Sequence, residues 1–164
     1  MTDTSTPSGQ LAETTGRQVT TVQLRNAVAL VAIGEENTKG GDKYWRVVLD
    51  PRWKGPYPRH WCGAFALWCL HQALGCKWIW DVYGCYGAKS SGFLHHLPRT
   101  EDPRVGDIAY KDKPYQHHAV VAALDGDWVI TQDGNQGSAP GVCLATRHRK
   151  TSWTAFYSIE GLLK

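Results

Sequence analysis

The stretch His60-Trp61-Cys62-Gly63-Ala64-Phe65-Ala66-Leu67-Trp68-Cys69-Leu70 places a cysteine at the start of a predicted helix. The preceding segment, residues 51–58, contains three prolines and a glycine and is incompatible with a regular helix. The helix is therefore predicted to begin at Trp61 or Cys62, and Gly75 supplies its stop. Its apolar residues recur with the spacing of a helix that packs on a sheet, at Cys62, Phe65, Ala66, Cys69, Leu70 and Ala73.

The position of Cys62 is the one that a thiolate nucleophile requires. In the first helical turn the sulfur lies among unpaired N–H groups at the positive end of the macrodipole. These groups lower a thiol pKa from about 8.5 into the range of roughly 3.5 to 7.5. The alternative for a single cysteine is an inert buried side chain, which is how we interpret Cys69 on the apolar helix face.

Length and composition exclude several classes of protein. The length of 164 residues predicts one domain with a hydrophobic core of its own. The formal net charge is +3. Lys and Arg are scattered, so we expect no nucleic-acid partner, although the mild positive charge suits an anionic polymer. The five cysteines form no CxxC pair and the histidines lack zinc spacing, so we expect no disulfide framework, no metal and no cofactor.

The order of the predicted elements indicates an α+β fold. A polar tail over residues 1–18 is predicted to be disordered and to precede a single catalytic domain, residues 19–164. Helices are predicted first, over residues 21–34 and 44–49 and from Cys62 onward. Short strands follow and predict an antiparallel sheet with the helices packed on it, at residues 107–110, 116–124, 127–133, 142–146 and 154–159.

A hairpin at Asp125-Gly126 supplies the partners of the thiol. If this dipeptide forms a two-residue turn, Leu124 lies opposite Asp127, and His118 then lies opposite Asp133. Directly opposed residues share a sheet face, with Cβ atoms about 4.5 to 5.5 Å apart. His118 is therefore predicted to accept the Cys62 proton while Asp133 orients the imidazole.

Several assignments stay open around this triad. A loop with a bulge would break the register, and His117 points to the opposite face only while the register holds. Asn135 follows Asp133 by two residues and is the alternative orienting group. Asp107 is interpreted as structural, in a turn that enters the first strand.

Aromatic residues surround the predicted nucleophile. Trp53, Tyr57 and Trp61 are the candidates for substrate contact in a groove, and burial in the core is an equally good interpretation of each.

Over roughly residues 22–163 these segments resemble the CHAP and NlpC/P60 superfamily of cysteine peptidases and amidases. The nucleophile segment, residues 61–68, is similar to the superfamily's WCAAF-x-x-W pattern. Gly106-Asp107-Ile108 resembles its GDI strand entry, and His117-His118-Ala119-Val120-Val121 its GHVA-V strand. Asp133-Gly134-Asn135 resembles E-x-N, with Asp in place of Glu, and residues 155–163 are similar to the closing strand of phage-type members.

The resemblance implies a papain-like fold and hydrolysis of an amide bond in bacterial peptidoglycan. Cys62 would form the acyl-enzyme, His118 would transfer the proton, and the Cys62 N–H would contribute to the oxyanion hole. The bond implied is either N-acetylmuramoyl-L-alanine or a stem or cross-bridge peptide bond. The enzyme is expected to act as a monomer, as a phage endolysin or virion-associated lysin.

Three alternatives stand beside the lysin. One is an injected antibacterial amidase, another is a non-catalytic module that binds wall or protein, and a third is a cysteine hydrolase or acyltransferase with a different substrate. The chain contains no apolar signal segment and no run of 18 apolar residues. We therefore expect synthesis in the host cytoplasm, no membrane span, and action on the wall or periplasm after release or delivery.

Overall fold

The computed structural model describes residues 19–76, 83–85 and 92–163. The predicted disordered tail, residues 1–18, lies outside this described part. Three α-helices come first, and six strands follow. The helices are α1 (Thr21–Ile33), α2 (Asp42–Val48) and α3 (Cys62–Leu74), and the strands are β1 (Arg99–Thr100), β2 (Ile108–Lys111), β3 (His117–Asp125), β4 (Trp128–Gln136), β5 (Val142–Arg149) and β6 (Ala155–Tyr157).

The six strands form one sheet in the order β1-β6-β2-β3-β4-β5, and every pair of neighbours is antiparallel. The predicted α+β class, with helices before an antiparallel sheet, is confirmed. The sequence pattern missed β1, because two residues are too few to show an alternating period. No helix in the described part of the chain is long and apolar enough to cross a membrane.

Helix α3 begins and ends where the sequence predicted. Cys62 is its first residue, and Gly75 follows its end with a φ of 64°, the left-handed conformation that glycine adopts most easily. All of its residues from Cys62 to Leu67 are buried, and Cys69 is fully buried, as the apolar stripe predicted. The helix therefore lies inside the molecule, with only its last turns reaching the surface.

Two glycines let α3 approach its neighbours closely. A methyl group on Gly63 would overlap the carbonyl oxygen of Cys85, and one on Gly134 of β4 would lie 2.7 Å from the side chain of Phe65. The helix thus packs directly against β4 at the end where Cys62 lies. This close packing fixes the position of the thiol relative to the sheet.

A buried ion pair ties α1 to the segment that enters β2. The α1 helix begins with a capping box between Thr20 and Gln23. From its buried face Arg25 Nη1 donates to Asp107 Oδ1 at 2.6 Å, and the same oxygen accepts the Ile159 N–H at 3.0 Å. The structural role predicted for Asp107 is confirmed, because its carboxylate joins the helix, the strand entry and the C-terminal segment.

The register of the β3–β4 hairpin differs from the predicted one. The two loop residues are Gly126 and Asp127, so Asp125 pairs with Trp128, and Gly126 alone has a positive φ, of 54°. This is the pattern of a type II′ turn, whose first central residue is glycine. The pairing of Leu124 with Asp127 was therefore wrong by one residue on each strand.

A bulge in β3 then changes which side chains share a face. Val121 pairs with Thr131 and Ala123 pairs with Ile130, so that Ala122 has no partner on β4. The extra residue reverses which β3 side chains point to each face of the sheet beyond the bulge. Asp133 therefore lies opposite Ala119. The predicted pairing of His118 with Asp133 is wrong for this reason. His117, two residues from Ala119, shares the face of Asp133 instead.

Candidate active site

The Cys62 thiol lies at the bottom of a groove of about 850 Å³. The side chain is only 3% exposed, because the rest of the first helical turn is buried around it. The groove opens between the segment before α3, the β2–β3 connection and the β4–β5 connection. Its lining includes Arg59, His60, Lys111, Tyr115, His117, Asp133, Asn135, Gln136, Arg147 and Trp153.

Among the histidines that line the groove, His117 is the one that contacts both the Cys62 thiol and Asp133. Its Nε2 lies 2.6 Å from Asp133 Oδ1, a charge-assisted hydrogen bond when the ring is protonated. Thr131 and Thr146 each donate a hydroxyl to Asp133 Oδ2 at 2.6 Å, and Gln136 Nε2 donates to Oδ1 at 3.2 Å. Four donors thus hold the buried carboxylate in one orientation.

The thiol makes hydrogen bonds with both neighbouring histidines. His117 Nε2 is bonded to Asp133, so we assign the contact with the sulfur to Nδ1. His118 reaches the sulfur from the protein interior, with its Nδ1 3.7 Å from Cys62 Sγ. The His118 ring is fully buried and stacks on Phe93 at 5.8 Å. Only His117 therefore joins the thiol, the groove and the carboxylate.

The same contacts shift the acid–base equilibria of the pair. Burial raises the pKa of the Cys62 thiol, but hydrogen bonds from His117 and His118 outweigh it and lower the pKa to about 5. Burial lowers the pKa of His117, but its hydrogen bonds with Asp133 and Cys62 outweigh that effect and raise it to about 10. Between these values the pair exists as a thiolate beside an imidazolium.

The start of α3 supplies donors beside the sulfur. The first intrahelical bond runs from the Phe65 N–H to the Trp61 carbonyl at 2.8 Å. The N–H groups of Cys62, Gly63 and Ala64 precede it, and the first N–H groups of a helix have no acceptor within the helix. This geometry fits the role predicted for the Cys62 N–H, which is to stabilise an oxyanion that forms beside Sγ.

Asn135 lines the groove but does not continue the ladder from Asp133. Its φ is 64°, and the β4–β5 register shifts between Asp133 and Gln136. The Asn135 side chain packs against Gly141, where any larger residue would overlap it. The carboxylate on the imidazole is therefore that of Asp133, and Asn135 forms part of the groove wall.

The three predicted substrate-binding aromatics do not line the groove as a group. Trp61 is 1% exposed, stacks on Tyr44 at 5.2 Å and donates its Nε1 hydrogen to the Pro140 carbonyl at 3.0 Å. Its assignment as a substrate contact is contradicted, because the ring is part of the core. Tyr57 packs against that core, and Trp53, at 40% exposed, lies outside the groove lining.

Other groove residues were not found from the sequence. Lys111 ends β2, Tyr115 lies in the β2–β3 connection, and Arg59 lies in the segment that leads into α3. Lys111 could have been predicted from strand pairing, because it lies opposite His117 in the β2–β3 pair. That pairing required the register of a second hairpin, which has no Asn-Gly or Asp-Gly turn to mark it. In residues 19–76, 83–85 and 92–163 no cluster of three or more potential metal ligands is found.

The family model of the CHAP domain matches residues 53–135, a span that contains Cys62, both histidines and Asp133. The chain belongs to the CHAP domain family. No curated protein and no solved structure matches it. CHAP domains are typically cysteine- and histidine-dependent hydrolases of peptidoglycan, so the family and the geometry agree on the chemistry. The match supports amidase or peptidase activity on peptidoglycan, and it confirms the superfamily that the motifs resembled.

Proposed function

We propose that this CHAP domain cleaves an amide bond of the peptidoglycan stem or cross-bridge with Cys62 as the nucleophile. The observation that carries the proposal is the continuous chain from Cys62 Sγ through the His117 imidazole to Asp133 at the base of a groove. The N-acetylmuramoyl-L-alanine amide and the peptide bonds further along the stem both present the carbonyl and the leaving amine that this arrangement serves.

The reaction follows from the charges of the resting pair. The Cys62 thiolate attacks the carbonyl carbon, and the negative charge that develops on its oxygen is stabilised by the Cys62 N–H. The His117 imidazolium donates its proton to the amine as the C–N bond breaks, leaving a thioester. Neutral His117 then takes a proton from water, which attacks the thioester, and the thiolate leaves with the acid product formed.

We assign the proton transfer to His117 rather than to His118, the histidine that the sequence favoured. His118 has no place in the groove lining, and its ring is enclosed by Phe93 and Tyr110. Its contact with the sulfur makes it a second hydrogen-bond partner of the thiolate. Asp133 orients His117 through the 2.6 Å bond to Nε2.

The biological setting that we propose is that of a phage endolysin or virion-associated lysin. The support is the resemblance of residues 155–163 to the closing strand of phage-type members. An injected antibacterial amidase would use the same chemistry. A neighbouring holin gene supports the lysin, whereas a neighbouring immunity gene contradicts it.

Mass spectrometry of digested peptidoglycan tests the reaction. Purified walls of Gram-negative and Gram-positive bacteria are incubated with the wild type, with Cys62→Ala and with Cys76→Ala. Cys76 is a matched control because it lies two residues beyond the end of α3 and outside the groove lining. New fragments with the wild type and Cys76→Ala alone are expected, and their masses identify the bond.

Two outcomes would contradict the proposal. Fragments that persist with Cys62→Ala would exclude the thiol mechanism. A folded wild type that releases no fragments from either wall would exclude peptidoglycan hydrolysis and favour a binding module or another amide substrate.

A further inference from the structure

We propose that the groove recognises the free carboxylates of the stem peptide, with Arg59 and Lys111 as the two cationic contacts. This inference rests on the proposed function and names the chemical group of the substrate that the groove binds. It predicts that the enzyme distinguishes stem peptides with free carboxylates from those in which the carboxylates are amidated.

The position of Lys111 follows from the sheet. Lys111 ends β2 and pairs directly with His117, the first residue of β3. Directly opposed residues point to the same face, with Cβ atoms about 4.5 to 5.5 Å apart. The Lys111 side chain therefore leaves the sheet beside the catalytic imidazole and lines the groove there.

Arg59 reaches the same groove from a different part of the chain. It lies three residues before Cys62, in the extended segment that leads into α3, and it lines the same groove. Because the chain from Arg59 to Cys62 is short, the guanidinium stays within reach of a substrate held at Sγ. The two cations thus reach the groove from different elements, α3's leading segment and β2.

The remaining charges of the groove are already compensated. Asp133 is held by four donors, and Arg147 pairs with Asp125 at 2.9 Å while its guanidinium lies 4.1 Å from the Trp128 ring centre. Within the described residues, by contrast, Arg59 and Lys111 have no ion pair with a carboxylate. Arg59 and Lys111 are therefore the side chains that we expect to bind an anionic group of the substrate.

The chemistry of the stem peptide fits these two groups. Its glutamate and its terminal residue carry carboxylates at intervals along an extended chain. A guanidinium binds a carboxylate through two parallel hydrogen bonds, whereas an ammonium acts as a point charge. Two such contacts along the substrate would help to place the scissile carbonyl over Cys62 Sγ.

Paired synthetic peptides test the inference. One stem peptide carries free carboxylates, and its partner carries the same residues as primary amides. The kcat/KM of the wild type is measured on both, together with Arg59→Gln, Lys111→Gln and the control Arg46→Gln. Arg46 is an exposed residue of α2 outside the groove, so its substitution removes the same charge elsewhere.

We expect the wild type to prefer the free-acid peptide by about tenfold or more, the scale of one charge-assisted hydrogen bond. Each groove variant should reduce that preference, mainly through KM, and the control should retain it. Equal kcat/KM on the two peptides would overturn carboxylate recognition while leaving the hydrolase intact. So would a preference that survives in both groove variants.

A binding measurement separates this inference from the proposed reaction. Calorimetric titration of Cys62→Ala with both peptides needs no turnover, and circular dichroism verifies the fold of each variant. Tighter binding of the free-acid peptide, lost on adding Arg59→Gln or Lys111→Gln, supports the inference even if the wild type cleaves neither peptide. Equal binding of both peptides overturns it.

Discussion

At the scale of single residues, the site contains two adjacent histidines that contact the same sulfur but have different surroundings. His117 reaches the groove and Asp133, whereas His118 is enclosed by aromatic rings. A proton-transfer group must reach the substrate and must be oriented by a third group. The difference between the two rings can therefore be measured as a difference in catalysis.

Replacing His117 should cost far more activity than replacing His118. We expect His117→Ala to lower kcat by about 10² to 10⁴, the usual contribution of a general acid–base group. His118→Asn retains an N–H donor near the Nδ1 position and should stay within about tenfold of the wild type. Hydrolysis of purified peptidoglycan by the two folded variants measures both, and the reverse order of losses would return the proton transfer to His118.

The pH dependence should show the limits of the thiolate–imidazolium pair. A lowered thiol pKa of about 5 means that activity is lost as pH falls through that value. A raised imidazole pKa of about 10 means that proton donation is lost as pH rises through that value. The rate of Cys62 alkylation by iodoacetamide should accordingly rise near pH 5. An alkylation rate that rises only near pH 8.5, the region of an ordinary thiol, would contradict the pair.

The substitution Asp133→Asn tests the basic limb of the pH profile. It removes the partner that raises the pKa of His117, so the basic limb of the kcat/KM profile should move to lower pH. Asp102→Asn, in the exposed loop after β1 and outside the groove lining, should leave the profile unchanged. A basic limb that stays in place in Asp133→Asn would show that another group holds the imidazolium.

At the scale of elements, α3 and five of the six strands described were predictable because their signals are local. Prolines before Cys62, glycine after Leu74 and the helical spacing between them mark α3 without tertiary information. The β3–β4 hairpin was predictable as a hairpin, from Asp125-Gly126. Its register was not, because a bulge adds one residue without any change of composition. That single residue decided between His117 and His118.

The close approach of α3 to its neighbours should be sensitive to one methyl group. Gly63→Ala would overlap the backbone carbonyl of Cys85, which cannot move away as a side-chain end can. We expect it to lower the free energy of unfolding by about 1 to 3 kcal/mol or more. Gly161→Ala, where the added methyl meets nothing within 4 Å, is the control. Urea unfolding that finds the two variants equally stable would contradict the packing of α3.

At the scale of the whole molecule, Arg25 joins parts of the chain that are more than 80 residues apart. It binds Asp107 at the entry to β2 and Glu160 after β6, both at 2.6 Å. The groove depends on a similar convergence, since Arg59, Lys111 and His117 come from three segments. Spacing within the sequence predicts such meetings only when every intervening register is known, and the groove cations were missed for that reason.

Breaking the buried pair should destabilise the entire fold. Arg25→Met removes the cation and leaves the Asp107 carboxylate buried without it, a change that costs about 3 to 5 kcal/mol. The free energy of unfolding in urea measures the loss. Arg52→Gln, which breaks the exposed pair with Asp50, should leave it unchanged. A stable Arg25→Met variant would show that the remaining hydrogen bonds of Asp107 compensate for its charge.

The bulge in β3 also bears on how this hairpin tolerates changes of length. A regular strand cannot lose a single residue without turning every side chain beyond that point to the other face. In this hairpin the unpaired Ala122 is an exception, since Val121 and Ala123 pair with consecutive residues of β4. Deleting Ala122 would restore an uninterrupted ladder with His117 still on the face of Asp133. The loss of this one residue can therefore leave the active-site geometry unchanged. We expect active relatives to include hairpins that are one residue shorter.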